Sequence, residues 1–243
     1  MNKEGWLYFE GRDLKPYVEP VSSEQLQEGT IYFAVNYVDR EMLIPTMETL
    51  VFVGRNLESG DKGRVFFQDV RSYRKGVKYD WEATDAIGTF YSGSENQIGH
   101  IFEFEQALDN LLRCLLRRRK MHKWIPLHFE GRELSSQAEP VSAESLEEGS
   151  VYFSLNYLDQ EMHIPVIETL AFVGRNVNSD RIATVHFQDV ESYREGIPYG
   201  LSSEADQATF HSSPEKELSS VFTFECVLDE LMRCSLRRRN TGT

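Results

Sequence analysis

The stretch Ile44-Pro45-Thr46-Met47-Glu48-Thr49-Leu50-Val51-Phe52-Val53-Gly54-Arg55-Asn56 returns as Ile164-Pro165-Val166-Ile167-Glu168-Thr169-Leu170-Ala171-Phe172-Val173-Gly174-Arg175-Asn176. The copies lie 120 positions apart, and the same offset relates Gly29 to Gly149. Working outward, Leu7 to Arg119 can be laid on Leu127 to Arg239 without a gap, with about half of the positions identical. A fixed period of this size reads as architecture: two copies of one unit fused in tandem, expected at 1–121 and 122–243. Repetition alone names no activity.

The quoted stretch is β-branched and apolar, and it follows another such run, Ile31 to Val38, after the short polar break Asp39-Arg40-Glu41. Ile31, Phe33, Val35 and Tyr37 alternate onto one face, so two long antiparallel strands are expected here. Pro45 lacks a backbone donor and belongs at a sheet edge or bulge. Val65 to Val70 reads as a third strand, and Thr89-Phe90 begins a short last one. Leu7-Tyr8-Phe9 before Glu10-Gly11-Arg12 reads as a strand ending in a glycine turn. A helix then closes each copy. Ile101, Phe104, Leu108, Leu111 and Leu115 form one apolar stripe, repeated by Val221, Phe224, Leu228 and Leu231. Its start is expected at Ser94, with Gln97 completing a capping box, and at Ser213 before Pro214; the alternative, from the aromatic alternation in Ile101-Phe102-Glu103-Phe104, is a later start after a strand. Both helices end in three arginines, Arg117 to Arg119 and Arg237 to Arg239, suited to the negative end of the helix dipole. The expected fold is α+β, each repeat a small bent antiparallel sheet, a meander or open barrel, closed by one long C-terminal helix. Only Lys120 to Lys123 join the copies, so they are expected to dock as an intramolecular pseudo-dimer with matching patches facing each other.

Composition narrows the function classes. With 39 acidic and 26 basic residues the net charge is −13, which works against broad nucleic-acid or membrane binding. No apolar run approaches the ~20 residues of a membrane helix. The first residues have no apolar core or small-residue cleavage site of a secretory signal. Three cysteines without paired spacing suit reduced thiols, and a cytoplasmic location is expected.

A site carried by each copy should appear twice. None of the six histidines recurs at its partner position, so no duplicated His-containing metal or triad site exists. No Gly-rich phosphate loop and no Gly-x-Ser-x-Gly elbow is present. No catalytic residue, metal or cofactor is therefore expected. Among the polar residues that do recur, Arg55-Asn56 ends one expected strand and Gln68-Asp69 lies in the next. Their counterparts are Arg175, Asn176, Gln188 and Asp189. As neighbours in a meander these would set an Arg–Asp pair beside two amides. Such a group either holds an anionic or peptide ligand or closes a turn. Glu48 and Glu41 with Asp39 read more simply as solvated strand and turn acids than as an acid–base cluster. The functional expectation is a non-enzymatic protein-interaction module, of adaptor, inhibitor or immunity type, presenting its surface twice to another protein. The alternative is a small-ligand binder or enzyme with its site in the cleft between the repeats, using Arg55, Asp69 or their counterparts.

Overall fold

The computed structural model describes residues 7–57, 62–78, 90–95, 98–119, 127–177, 183–199 and 209–242. The expected loop over 80–88, the joint at 120–123 and Gln97 lie outside the described residues. The chain is mixed α+β, with two five-stranded antiparallel sheets in two similar halves.

The first half runs β1 (Leu7–Phe9), β2 (Arg12–Leu14), β3 (Ile31–Tyr37), β4 (Pro45–Arg55), β5 (Arg64–Asp69), α1 (Val70–Arg74), β6 (Phe90–Ser94), β7 (Ile101–Phe102) and α2 (Phe104–Arg118). The second runs β8 (Leu127–Phe129), β9 (Arg132–Leu134), β10 (Val151–Tyr157), β11 (Pro165–Val177), β12 (Ala183–Asp189), α3 (Val190–Glu195), β13 (Phe210–Pro214), β14 (Val221–Phe222) and α4 (Phe224–Thr241). The large sheets have the orders β6-β5-β4-β3-β7 and β13-β12-β11-β10-β14.

Strand alternation decides what each face buries. Phe33 and Val35 of β3 pack with Phe104, Leu108, Leu111 and Leu115 of α2. Tyr32 and Ala34 point the other way, into a separate cluster with Leu50, Phe52, Val65 and Phe67. Pro45 sits at the first rung of the β3–β4 ladder, opposite Tyr37, where a missing donor costs least. The ladder of β4 with β5 slips between Phe52 and Gly54, and Gly54 takes φ 148°. That bulge needs a residue without Cβ.

The helices start later than the Ser94 and Ser213 signals suggest. Ile101 and Phe102 are both buried and pair with Ala34 and Phe33 of β3. The helix therefore begins at Phe104, where the Glu103 backbone N–H donates to Gln106 Oε1 at 3.0 Å. Pro214 ends β13, and the cap of α4 is Thr223, whose Oγ1 accepts from the Cys226 N–H at 3.4 Å. A buried apolar pair took the sheet edge that the serine signals left out of account.

The halves are interlocked. β1 pairs with β9, and β2 pairs with β8, so the two short N-terminal strands of each half find their ladders on the other half. Gly11 and Gly131 meet at the centre of this exchange. A Cβ on Gly11 would lie 2.8 Å from the Gly131 nitrogen and 2.8 Å from the Phe129 oxygen. Nearby, β4 crosses β11 with reciprocal bonds. Thr49 Oγ1 donates to the Pro165 carbonyl at 2.6 Å, and Thr169 Oγ1 to the Pro45 carbonyl at 2.9 Å. Arg118 stacks on Phe224 at 4.2 Å and Arg238 on Phe104 at 4.9 Å, each reaching across to the other half's helix. One apolar core takes residues from both halves, from Phe9 and Phe33 to Phe153 and Leu231. Among the described residues, no helix is long and apolar enough to cross a membrane.

Candidate functional site

The recurring polar residues named from the sequence do not form one cluster. In the β4–β5 ladder Arg55 pairs with Val65 and Leu50 with Asp69, so Arg55 and Asp69 lie at opposite ends. Arg55 Nε donates to Glu95 Oε1 at 3.2 Å, and its Nη2 donates to the Ser23 carbonyl. Arg175 repeats this with Glu215 at 3.4 Å and the Ala143 carbonyl at 2.8 Å. Each arginine thus ties a short turn to the far end of the sheet. Asn56 adopts φ 52° and its Oδ1 accepts from the Arg64 N–H at 3.3 Å, whereas Asn176 continues β11 opposite Thr184.

Gln68 and Gln188 are each 1% exposed, too deep to meet a partner. Gln68 Nε2 donates to Ser72 Oγ at 3.0 Å and the Val77 carbonyl at 2.9 Å; Gln188 bonds Ser192 and Ile197 at the same distances. Asp69 caps α1, accepting from the N–H groups of Arg71 at 2.9 Å and Ser72 at 3.1 Å. Asp189 caps α3, accepting from Ser192 N–H at 2.9 Å and Thr209 N–H at 2.8 Å. Asp39 is likewise occupied, accepting from Leu43 and Ile44 N–H at the hairpin tip. The arginine triplets fasten those tips: Arg117 Nε donates to Met42 O at 3.0 Å and Arg118 Nε to Leu43 O at 2.8 Å.

The surface that does repeat is a groove on the sheet face turned away from the helix. In the first half it is a hollow of about 170 Å³ floored by Ala34, Leu50, Val65 and Phe67. Tyr91, Gly93 and His100 form its rim, with Asn36 and Glu48 at one end. In the second half a hollow of about 370 Å³ uses Ser154, Leu170 and Phe187, with His211, Ser213 and Ser220 on the rim. The six second-half residues are the counterparts, at the same offset of 120, of Ala34, Leu50, Phe67, Tyr91, Gly93 and His100. The floor keeps its leucine and phenylalanine; the three rim positions all differ.

A third hollow of about 210 Å³ lies between the halves, beside the β4–β11 crossing. Glu48 reaches it from one half; Glu168, Asp189, Glu191 and His211 line it from the other. Burial raises the Glu48 pKa above the usual carboxylate range, the charge of Glu191 adds to this, and a hydrogen bond from Tyr91 opposes it. Glu168 is held by Arg71 from the first half, Nη1 to Oε1 at 2.9 Å, with His211 Nε2 at 3.8 Å. Of the candidate binding residues named from the sequence, only Asp189 reaches this hollow; Glu48, read from the sequence as a strand acid, lines it as well.

Other histidines stay apart from it. His186 Nδ1 lies 2.9 Å from Tyr199 Oη and 2.8 Å from Ser212 Oγ, on the opposite face of its sheet. His163 lies beside Asp159 at 3.9 Å. Among the described residues, no group of three His, Cys, Asp or Glu side chains is set to hold a metal ion. No protein-family model, curated protein or solved structure matches this chain.

Sequence reasoning missed the groove rims because Tyr91 faces His211 and His100 faces Ser220 across the repeat. A test that keeps only recurring residues discards them. The recurring floor, Leu50, Phe67 and their counterparts, carried the signal, but alternating apolar residues read as core.

Proposed function

We propose that this chain is a non-enzymatic interaction module, a tandem duplication of one unit, that offers a groove in each copy to a protein partner. The observation that carries this reading is the repetition of the groove itself at matched positions in both halves. Apolar floors edged by aromatic and polar rims suit partner side chains. Two grooves on one interlocked body favour a partner that engages both, since the second contact is then intramolecular. The unpaired thiols of Cys114, Cys226 and Cys234 support a working place in the reducing cytoplasm.

A peptide library displayed against the whole chain tests the reading. Gly93 lines the first groove and a Cβ added there meets nothing within 4 Å, so Gly93→Trp is placed to obstruct that groove, and Ser213→Trp its counterpart. Selected peptides are expected to bind with two sites per chain by titration calorimetry, one lost in each single variant and both in the double variant. Binding that persists unchanged in the double variant would overturn the proposal. The convergence of Glu48, Glu168, Glu191 and His211 favours the alternative, a small-ligand or enzyme site between the halves. A bound metabolite displaced by Glu168→Gln would select it.

A further inference from the structure

The joint between the halves carries different charges on its two sides. On one side Arg71 of α1 crosses to Glu168 of β11 and closes an ion pair at 2.9 Å. The counterpart of Arg71 is Glu191 of α3, and the counterpart of Glu168 is Glu48 of β4. Where the first side has a guanidinium against a carboxylate, the second has two carboxylates lining one hollow. The backbone crossing itself is matched, with Thr49 and Thr169 each bonded to the other half's proline carbonyl. The residues beside the carboxylates differ as the charges do, Tyr91 on Glu48 and its counterpart His211 beside Glu168.

We propose that the Glu48–Glu191 side of the joint is a proton-responsive contact, loosened while both carboxylates are charged and drawn in when one takes a proton. The Arg71–Glu168 side stays fixed, so α3 is the element that responds. Every neighbouring element contributes a group. Tyr91 of β6 donates to Glu48, and His100 lies before β7 on the same groove rim. Across the hollow stand Glu191 of α3, Asp189 at its cap, Glu168 of β11 and His211 of β13.

The sign follows from linkage. Glu48 holds its proton more tightly in the folded chain than in the unfolded one, so its charge is a penalty above the folded pKa. That penalty is relieved as pH falls through the folded value towards the ordinary carboxylate value of about 4.3.

Melting of the whole chain with Glu48→Gln, Glu191→Gln and the double variant, from pH 8 to pH 4, tests this. At pH 8 each single variant is expected to raise Tm by roughly 1–3 °C, with the double variant adding little, because either change removes the same repulsion. The gain should shrink to nothing near pH 4. Glu191→Arg should raise Tm further than Glu191→Gln by remaking the Arg71–Glu168 pair on this side. Amide exchange over 190–195 should slow in Glu48→Gln at pH 8, while exchange over 70–74 stays as it was. Gains that are fully additive, independent of pH, or absent at pH 8 would overturn the proposal.

Discussion

At the residue scale, Gly11 shows why local signals mislead. In the sequence it closes a turn after Leu7-Tyr8-Phe9, and the φ freedom of glycine is explanation enough. Its φ is not in the left-handed region; what it supplies is the missing Cβ, since the backbone of Gly131 lies where that atom would be. Gly131 has the mirror problem, with Gly11 N at 2.7 Å and Phe9 O at 2.8 Å from an added Cβ. Backbone cannot swing aside as a side-chain tip can, so Gly11→Ala should destabilise by about 1–3 kcal/mol, the range for overpacking. Urea unfolding of the variant measures this. A change within a few tenths of a kcal/mol would mean that the backbones at Gly11 and Gly131 are not pressed together. Recurrence was equally misleading for the candidate site. Gln68 and Asp69 recur because each copy must tie down the same helical turn, a folding task, whereas Tyr91/His211 and His100/Ser220, which face the grooves, are free to differ.

At the element scale, legibility tracked how strongly a face is buried. β3 and β4 were readable because each alternates between two apolar clusters, and β5 because Val65 and Phe67 both enter one of them. The body of α2 was readable from its stripe at spacings of three and four, but its start was readable only as an alternative to the Ser94 signal. Two buried residues, Ile101 and Phe102, carry no alternation long enough to separate strand from helix. The β1–β9 and β2–β8 ladders were out of reach, since strands of three residues hold no register information about a distant partner. The short helices α1 and α3 each rest on an aspartate cap that accepts from two backbone N–H groups, Arg71 and Ser72 on Asp69, Ser192 and Thr209 on Asp189. Ala at either site should cost about 1 kcal/mol, the usual loss at an N-cap, and Asn should recover most of it. Chemical denaturation of the four variants checks this; a change within a few tenths of a kcal/mol for either Ala variant would show that the cap bonds contribute nothing.

At the scale of the whole molecule, the question is whether two similar halves behave as two folding units. Repeats joined end to end commonly do, their stability being a sum of units and interfaces. Here the halves are tied into each other. The two short N-terminal strands of each half find their partners on the other, and Phe9 and Phe129 touch in a T-shaped pair with centroids 6.1 Å apart. The core holding α2 and α4 draws on both sheets, and Glu105 of α2 accepts from Ser235 and Arg239 of α4. Burial alone would push the Glu105 pKa up, but these donors and Arg12 outweigh it and hold it below the usual range. Glu105 thus contributes stability above the unfolded value that is lost as pH falls through the folded one. Neither half can keep this shared core if the other unfolds. Urea unfolding followed by far-UV dichroism and by tryptophan fluorescence should therefore give one coincident transition. Thr49→Val and Thr169→Val, each stranding a buried proline carbonyl, should lower its midpoint by about 1–2 kcal/mol apiece without splitting it. Two separated transitions, or a midpoint that moves for only one probe, would mean that the halves fold independently and that the shared core is an interface between finished units.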